Sequence, residues 1–117
     1  KGTRFVTGGG SADLTAWRKL GNRFFAAIVN RLWKTSFTDL CYGYNAFWRH
    51  TLPDLGSDCS GFEVETMLTL RAVRANIRMV EVPSFEAHRL SGVSNLRAFP
   101  DGIRILRTIA AERIRPR

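Results

Sequence analysis

The chain has 117 residues, room for one domain and not for two. Hydrophobic residues at 44% and aromatics at 11% exclude an intrinsically disordered chain. With 18 Lys and Arg against 10 Asp and Glu, the net charge of +8 directs attention to phosphate, nucleic acid or an acidic membrane surface.

The opening Lys1-Gly2-Thr3-Arg4-Phe5-Val6 reads as the tail of a strand, and the chain closes within a basic stretch at Arg117, as a piece of a longer protein would. A short strand is expected over Arg4 to Thr7, then a loop at Gly8-Gly9-Gly10-Ser11. From Leu14 to about Trp33, apolar residues recur at offsets of three, four and seven, which predicts a helix capped by Ser11 or Asp13. Residues 37–50 are aromatic and partly alternating, and predict extended structure or a hairpin bent at Gly43. A loop over Pro53 to Gly61 leads to a second helix, Phe62 to Ala75, ended by Asn76 in the left-handed conformation. Ile77 to Val82 reads as a strand broken by Pro83, and Ser84 to Arg89 as another. The last element is a basic amphipathic helix at about 100–115, with Ile103, Leu106, Ile109 and Ala110 on its apolar face. Arg104, Arg107 and Arg115 flank that face, and six Arg lie within residues 97–117.

Three groups of residues can carry chemistry. Arg4 and Arg18 flank the Gly8-Gly9-Gly10 loop at a helix start, where free backbone N–H groups favour an anion and guanidinium forks suit phosphate. The loop lacks the spacing of a dinucleotide fingerprint or a P-loop. Glu63 and Glu65 are candidate general bases, only one of which can face a given site, since residues two apart do not share a helix face. Arg89-Leu90-Ser91-Gly92-Val93-Ser94 forms a candidate anion-binding loop. Neither His50 nor His88 stands at ligand spacing from a Cys or another His, so a metal site made by this chain alone is not expected; Cys41 and Cys59 show no such spacing either and fit a reducing compartment.

The order of these motifs resembles the C-terminal half of a glycosyltransferase family 2 catalytic domain. The similarity runs through Thr3-Arg4-Phe5, Gly8-Gly9, Trp17-Arg18-Lys19-Leu20, Thr38-Asp39-Leu40-Cys41-Tyr42-Gly43-Tyr44-Asn45-Ala46-Phe47, Gly61-Phe62-Glu63-Val64-Glu65, Val80-Glu81-Val82-Pro83 and Arg89 through Leu96. It is nearest the polyprenol-phosphate branch, of the dolichol-phosphate mannosyltransferase type. The resemblance implies an α/β chain forming part of a GT-A (nucleotide-diphosphosugar transferase) fold: its acceptor half, with mixed strands and about three helices spanning 1–117.

The resemblance further implies transfer of a hexose, with inversion, from a nucleotide-diphosphate sugar to a polyprenyl phosphate at the cytoplasmic face of a membrane. It places the acceptor phosphate at Arg4, Arg18 and Asn22, catalytic roles at Asp39, Glu63 and Glu65, and the donor pyrophosphate at Arg89 and Ser94. Asn95 stands where the family carries Lys, and Tyr42 where Ser is usual. A Mg²⁺ or Mn²⁺ ion is implied for the full-length enzyme, ligated by an Asp-x-Asp that this chain lacks, so the chain alone is expected to be inactive. The rival expectations are a docking subunit that binds an anionic membrane surface through its last helix, and a basic nucleic-acid-binding module. The latter lacks any recognisable nucleic-acid motif.

Overall fold

A computed structural model describes residues 1–56 and 58–116. Ser57, within the expected 53–61 loop, and Arg117, the last of the C-terminal arginines, lie outside them. The helical periodicity of the sequence becomes α1 (Ala16–Trp33), α3 (Val64–Arg74) and α4 (Ala98–Ile114). A one-turn α2 (Leu52–Leu55) follows a 3₁₀ turn at Arg49–Thr51 and occupies part of the expected loop, with Pro53 in its first turn where a missing N–H is harmless. Thr15 caps α1 by accepting from the Arg18 N–H, in place of the expected Ser11 or Asp13. Ser11 closes the preceding turn instead, its hydroxyl accepting from the N–H groups of Asp13 and Leu14. Asn76, with φ of 54°, ends α3 as the sequence reading required.

The strands are shorter than expected and shifted. β1 (Gly2–Thr3) pairs in parallel with β3 (Val82–Pro83), and β2 (Gly10–Ser11) with β4 (Phe85–Glu86). The strand expected at Arg4 to Thr7 lies two residues earlier, because Arg4 turns inward. The Gly loop enters a ladder at Gly10. Gly9 is required there: a Cβ would stand 2.6 Å from the Thr3 carbonyl oxygen. Pro83 belongs to β3 rather than ending a longer strand, and residues 77–81 run as coil. Of the two expectations for residues 37–50, the hairpin does not form, and the segment carries no strand pairing. That segment hangs from α1, whose Asn30 Oδ1 accepts from the Phe37 N–H at 2.8 Å while its Nδ2 donates to the Phe37 carbonyl. Asn22 holds the next residues in the same way.

The result is a compact mixed α/β protein of four helices and small strands. Its core is Ala26 and Val29 of α1, Leu40, Leu70 of α3, and Ile105 and Ile109 of α4. The register of α4 differs from expectation: Ile109 is buried, but Ile105 replaces Ile103 and Leu106, which are 49% and 40% exposed. α3 is tied to α4 by Arg71, which donates to Glu112 at 2.9 Å, to the Leu55 carbonyl and to Asp58, while Arg74 donates to both the Glu112 carboxylate and its carbonyl. Among the described residues, no helix is long and apolar enough to cross a membrane.

Candidate functional site

A cavity of about 670 Å³ opens between α1 and α4, and Glu86 of β4 also borders it. It receives Arg4, Arg18, Asn22, Glu65, Arg89 and Ser94, six side chains that the sequence scatters over ninety residues. Glu63 and Asp39 do not line it.

Arg4 is buried and fully engaged. Its Nε and Nη2 donate to the two Asp39 oxygens at 2.8 and 3.0 Å, and its Nη1 donates to Glu86 Oε2 at 3.0 Å. The Tyr42 ring lies 4.4 Å from the guanidinium carbon. Burial works against the Arg4 charge, but the Asp39 and Glu86 bonds outweigh it and raise its pKa. Asp39 has no exposed surface, and besides the guanidinium it accepts from the Arg4 N–H. It is the internal counter-ion of Arg4 and does not line the cavity. The Asp39 turn is fixed in turn by Glu81, whose carboxylate accepts from the N–H groups of Thr38 and Asp39 and from the Thr38 hydroxyl.

Asn22 also faces inward. Its Oδ1 accepts from the N–H groups of Leu40 and Cys41 at 3.0 and 2.9 Å, which fills both lone pairs. The Asn22 side chain thereby holds residues 38–41 against α1, its Nδ2 donating to the Thr38 carbonyl at 3.4 Å. Arg89 reaches Asp13 at 3.4 Å across the cavity rim, and the Ser94 hydroxyl accepts from the Leu96 N–H. Arg18, half-buried in the first turn of α1, makes no ion pair among the described residues. Of the three arginines at the cavity it is the one whose fork is free to take a ligand.

The acidic pair divides as helix geometry demands. Glu65, in the first turn of α3, lines the cavity beside Gly43, where burial pushes its carboxyl up and the nearby Lys1 charge only partly offsets this. Glu63 is the residue before that turn, and its carboxylate lies against Gly61 with Oε2 buried and without a partner among the described residues. Cys41 also borders the cavity, its thiol pushed up to about 12 by burial and by Asp39 and Glu65. No group of three His, Cys, Asp or Glu among the described residues is arranged to hold a metal ion.

Asp13 and Glu86 add two carboxylates to the lining, and the rest of it is apolar. Trp17, Leu20 and Phe24 come from α1 at helical spacing, and Phe99, Ile103 and Leu106 from α4. The arginines therefore share a largely hydrophobic trough with these side chains.

No family model matches the chain. No solved structure matches it. Over 68 residues it is 37% identical to an uncharacterized protein of Shigella flexneri, a match that covers 57% of this chain and 42% of the relative. The chain thus spans less than half the length of that relative.

Two functional features were not anticipated from the sequence. Glu86 accepts one of the three guanidinium hydrogen bonds of Arg4, Asp39 taking the other two, and also accepts from the Ser11 hydroxyl at 2.6 Å. A lone Glu in an exposed strand carries no local signal of such a partnership. The exposure of Trp17 and Phe24 on α1 and of Phe99 on α4 carries no local signal either, because helical spacing of large apolar residues is also that of core residues.

Proposed function

We propose that this chain is the acceptor half of a family 2 glycosyltransferase of GT-A fold, which transfers a hexose from a nucleotide-diphosphate sugar to a polyprenyl phosphate. The observation that carries this reading is a cavity that combines largely apolar walls with an arginine, Arg18, that makes no ion pair among the described residues. A head-and-tail ligand with an anionic head fits that division. The order of motifs in the sequence supplies the reaction.

In this reading Arg18 takes the acceptor phosphate. Arg89 at the rim lies near enough to the same space to assist when its weak link to Asp13 opens. Arg4 acts as a positioning residue, since its charge is already answered by Asp39 and Glu86. The phosphate is ionised near neutral pH, so it needs orientation and no general base. One of its oxygens forms the new bond to the anomeric carbon, opposite the departing group. The bond from that carbon to the nucleoside diphosphate breaks, and the electron pair leaves with the diphosphate. Glu65 is the candidate base only for a hydroxyl acceptor. The divalent ion implied by the family resemblance has no ligand set among the described residues, and no step assigned to this chain runs through it.

Calorimetric titration of the chain with farnesyl phosphate, a short polyprenyl phosphate, tests the reading. Charge-assisted Arg–phosphate bonds are worth roughly 1.5–3 kcal/mol, so Arg18→Ala weakens binding about ten- to a hundredfold. Arg18→Lys recovers part of the loss, because the charge remains but the fork does not. Farnesol binding as tightly as farnesyl phosphate, or Arg18→Ala leaving affinity unchanged, refutes the assignment.

A further inference from the structure

A second cavity, of about 520 Å³, shares no lining residue with the first. Leu55, Leu68 and Ala72 border it from α2 and α3, and Phe47 and Trp48 from the segment before the 3₁₀ turn. Its remaining wall is the stretch that leads into β3, residues 77–80 with Val82. Trp48, Val80 and Val82 are 77%, 60% and 56% exposed, so the apolar lining opens to solvent.

The same stretch carries a free backbone edge. The Lys1 nitrogen donates to the Val80 carbonyl at 2.9 Å, and the Val82 N–H donates to the Lys1 carbonyl at 2.8 Å. Backbone groups of successive residues in an extended chain point to opposite sides, so those of Met79 and Glu81 are directed away from β1. Their N–H groups and carbonyls have no hydrogen-bond partner among the described residues. Buried backbone groups are almost always paired, which leaves these four to water. An edge of this kind is a template for another extended chain.

Charge narrows the occupant. Lys1 and Arg78 line the cavity and no Asp or Glu does. Arg78 is exposed and makes no ion pair among the described residues. The Glu81 carboxylate is taken up by the N–H groups of Thr38 and Asp39.

We propose that the edge at residues 77–82, with the cavity beside it, binds an extended acidic peptide segment of another protein. Met79 and Glu81 supply main-chain hydrogen bonds, the apolar lining takes alternate side chains, and Arg78 meets a carboxylate. A second copy of this chain matches less well, because it would bring a net charge of +8 against +8. The inference is independent of the transfer reaction, since the two cavities have separate linings.

Fluorescence anisotropy with a fluorescein-labelled octapeptide of alternating Glu and Val tests it on the full chain. Binding is expected, and is expected to weaken as salt rises. The same peptide N-methylated at every residue can donate no hydrogen bond and should bind about tenfold more weakly or worse. Arg78→Glu should lower affinity about tenfold, whereas Arg107→Glu, the same charge change on α4, should leave it within about twofold. Amide exchange followed by NMR should show the Met79 and Glu81 N–H groups protected by the peptide. No binding, equal binding of the methylated peptide or of an alternating Lys and Val peptide, or unprotected Met79 and Glu81 amides each overturns the proposal. Equal losses in Arg78→Glu and Arg107→Glu also overturn it, because they reduce the attraction to overall charge. So does a dimer in analytical ultracentrifugation that Val80→Lys with Val82→Lys dissociates, which assigns the edge to a second copy.

Discussion

Asp39 and Arg4 meet across 35 residues of sequence with side chains 0% and 6% exposed, and this burial decides what each can do. A carboxylate sealed against a guanidinium is a strong structural tie only while both partners are present. Asp39→Asn leaves the Arg4 charge half answered in a dry environment, and breaking such a pair costs about 3–5 kcal/mol. Urea denaturation should show that loss as a lower midpoint with an unchanged slope. Glu65 behaves in the opposite sense. Burial raises its pKa, so the folded state holds its proton over a range where the unfolded chain has released it. Stability therefore falls as pH rises through the interval from the ordinary glutamate value to the raised one. Glu65→Gln should melt higher than the parent at pH 8 and show no advantage at pH 4, as followed by thermal denaturation. A gain that is equal at both pH values would mean that packing, and not ionisation, separates the two proteins.

At the scale of elements, helix existence was legible in the sequence and helix orientation was not. The i, i+3, i+4 pattern located α1, α3 and α4 because buried side chains must recur with the helical period. In α4 that period is satisfied twice, by Ile105 and Ile109 facing the core and by Phe99, Ile103 and Leu106 facing the trough. Composition alone favoured the wrong set, because the inward face also carries Asp101 and Glu112. Only their partners, Arg97, Arg71 and Arg74, make that burial tolerable. The strands failed for a different reason: a ladder of two residues is too short to impose alternation. The candidate site divided along the same line. Arg18, Glu65, Arg89 and Ser94 line one cavity, whereas the Asp39 motif was a signal of internal order. Asn22 shows the distinction experimentally. Removal of its amide in Asn22→Ala orphans the N–H groups of Leu40 and Cys41, and a buried unsatisfied donor costs ~1–3 kcal/mol. The variant should lose stability on that order in urea, and farnesyl phosphate affinity measured well below its melting temperature should stay within about threefold of the parent.

Across the whole molecule, the helices and the strand pairs hold together by different means. The helical body shares a core and the Arg71–Glu112–Arg74 link, which joins α3 to α4 where apolar packing alone would leave a gap in specificity. The two parallel pairs add little of their own, because each consists of two residues and parallel ladders normally need covering layers on both faces. Yet they join Gly2 to Val82 and Gly10 to Phe85, contacts that close the chain from α1 through α3 into a ring and leave α4 outside it. Such non-local pairings form late, after the helices have brought the intervening chain together, and they are the first to let go. Native-state hydrogen exchange should therefore find the Val82 and Ser84 amides, which donate to Lys1 and Thr3, exchanging well before those in the middle of α1. Equal protection would mean that the protein opens only as a unit. With separate opening, the border of the cavity where Glu86 grips Arg4 breathes on a faster clock than its helical walls.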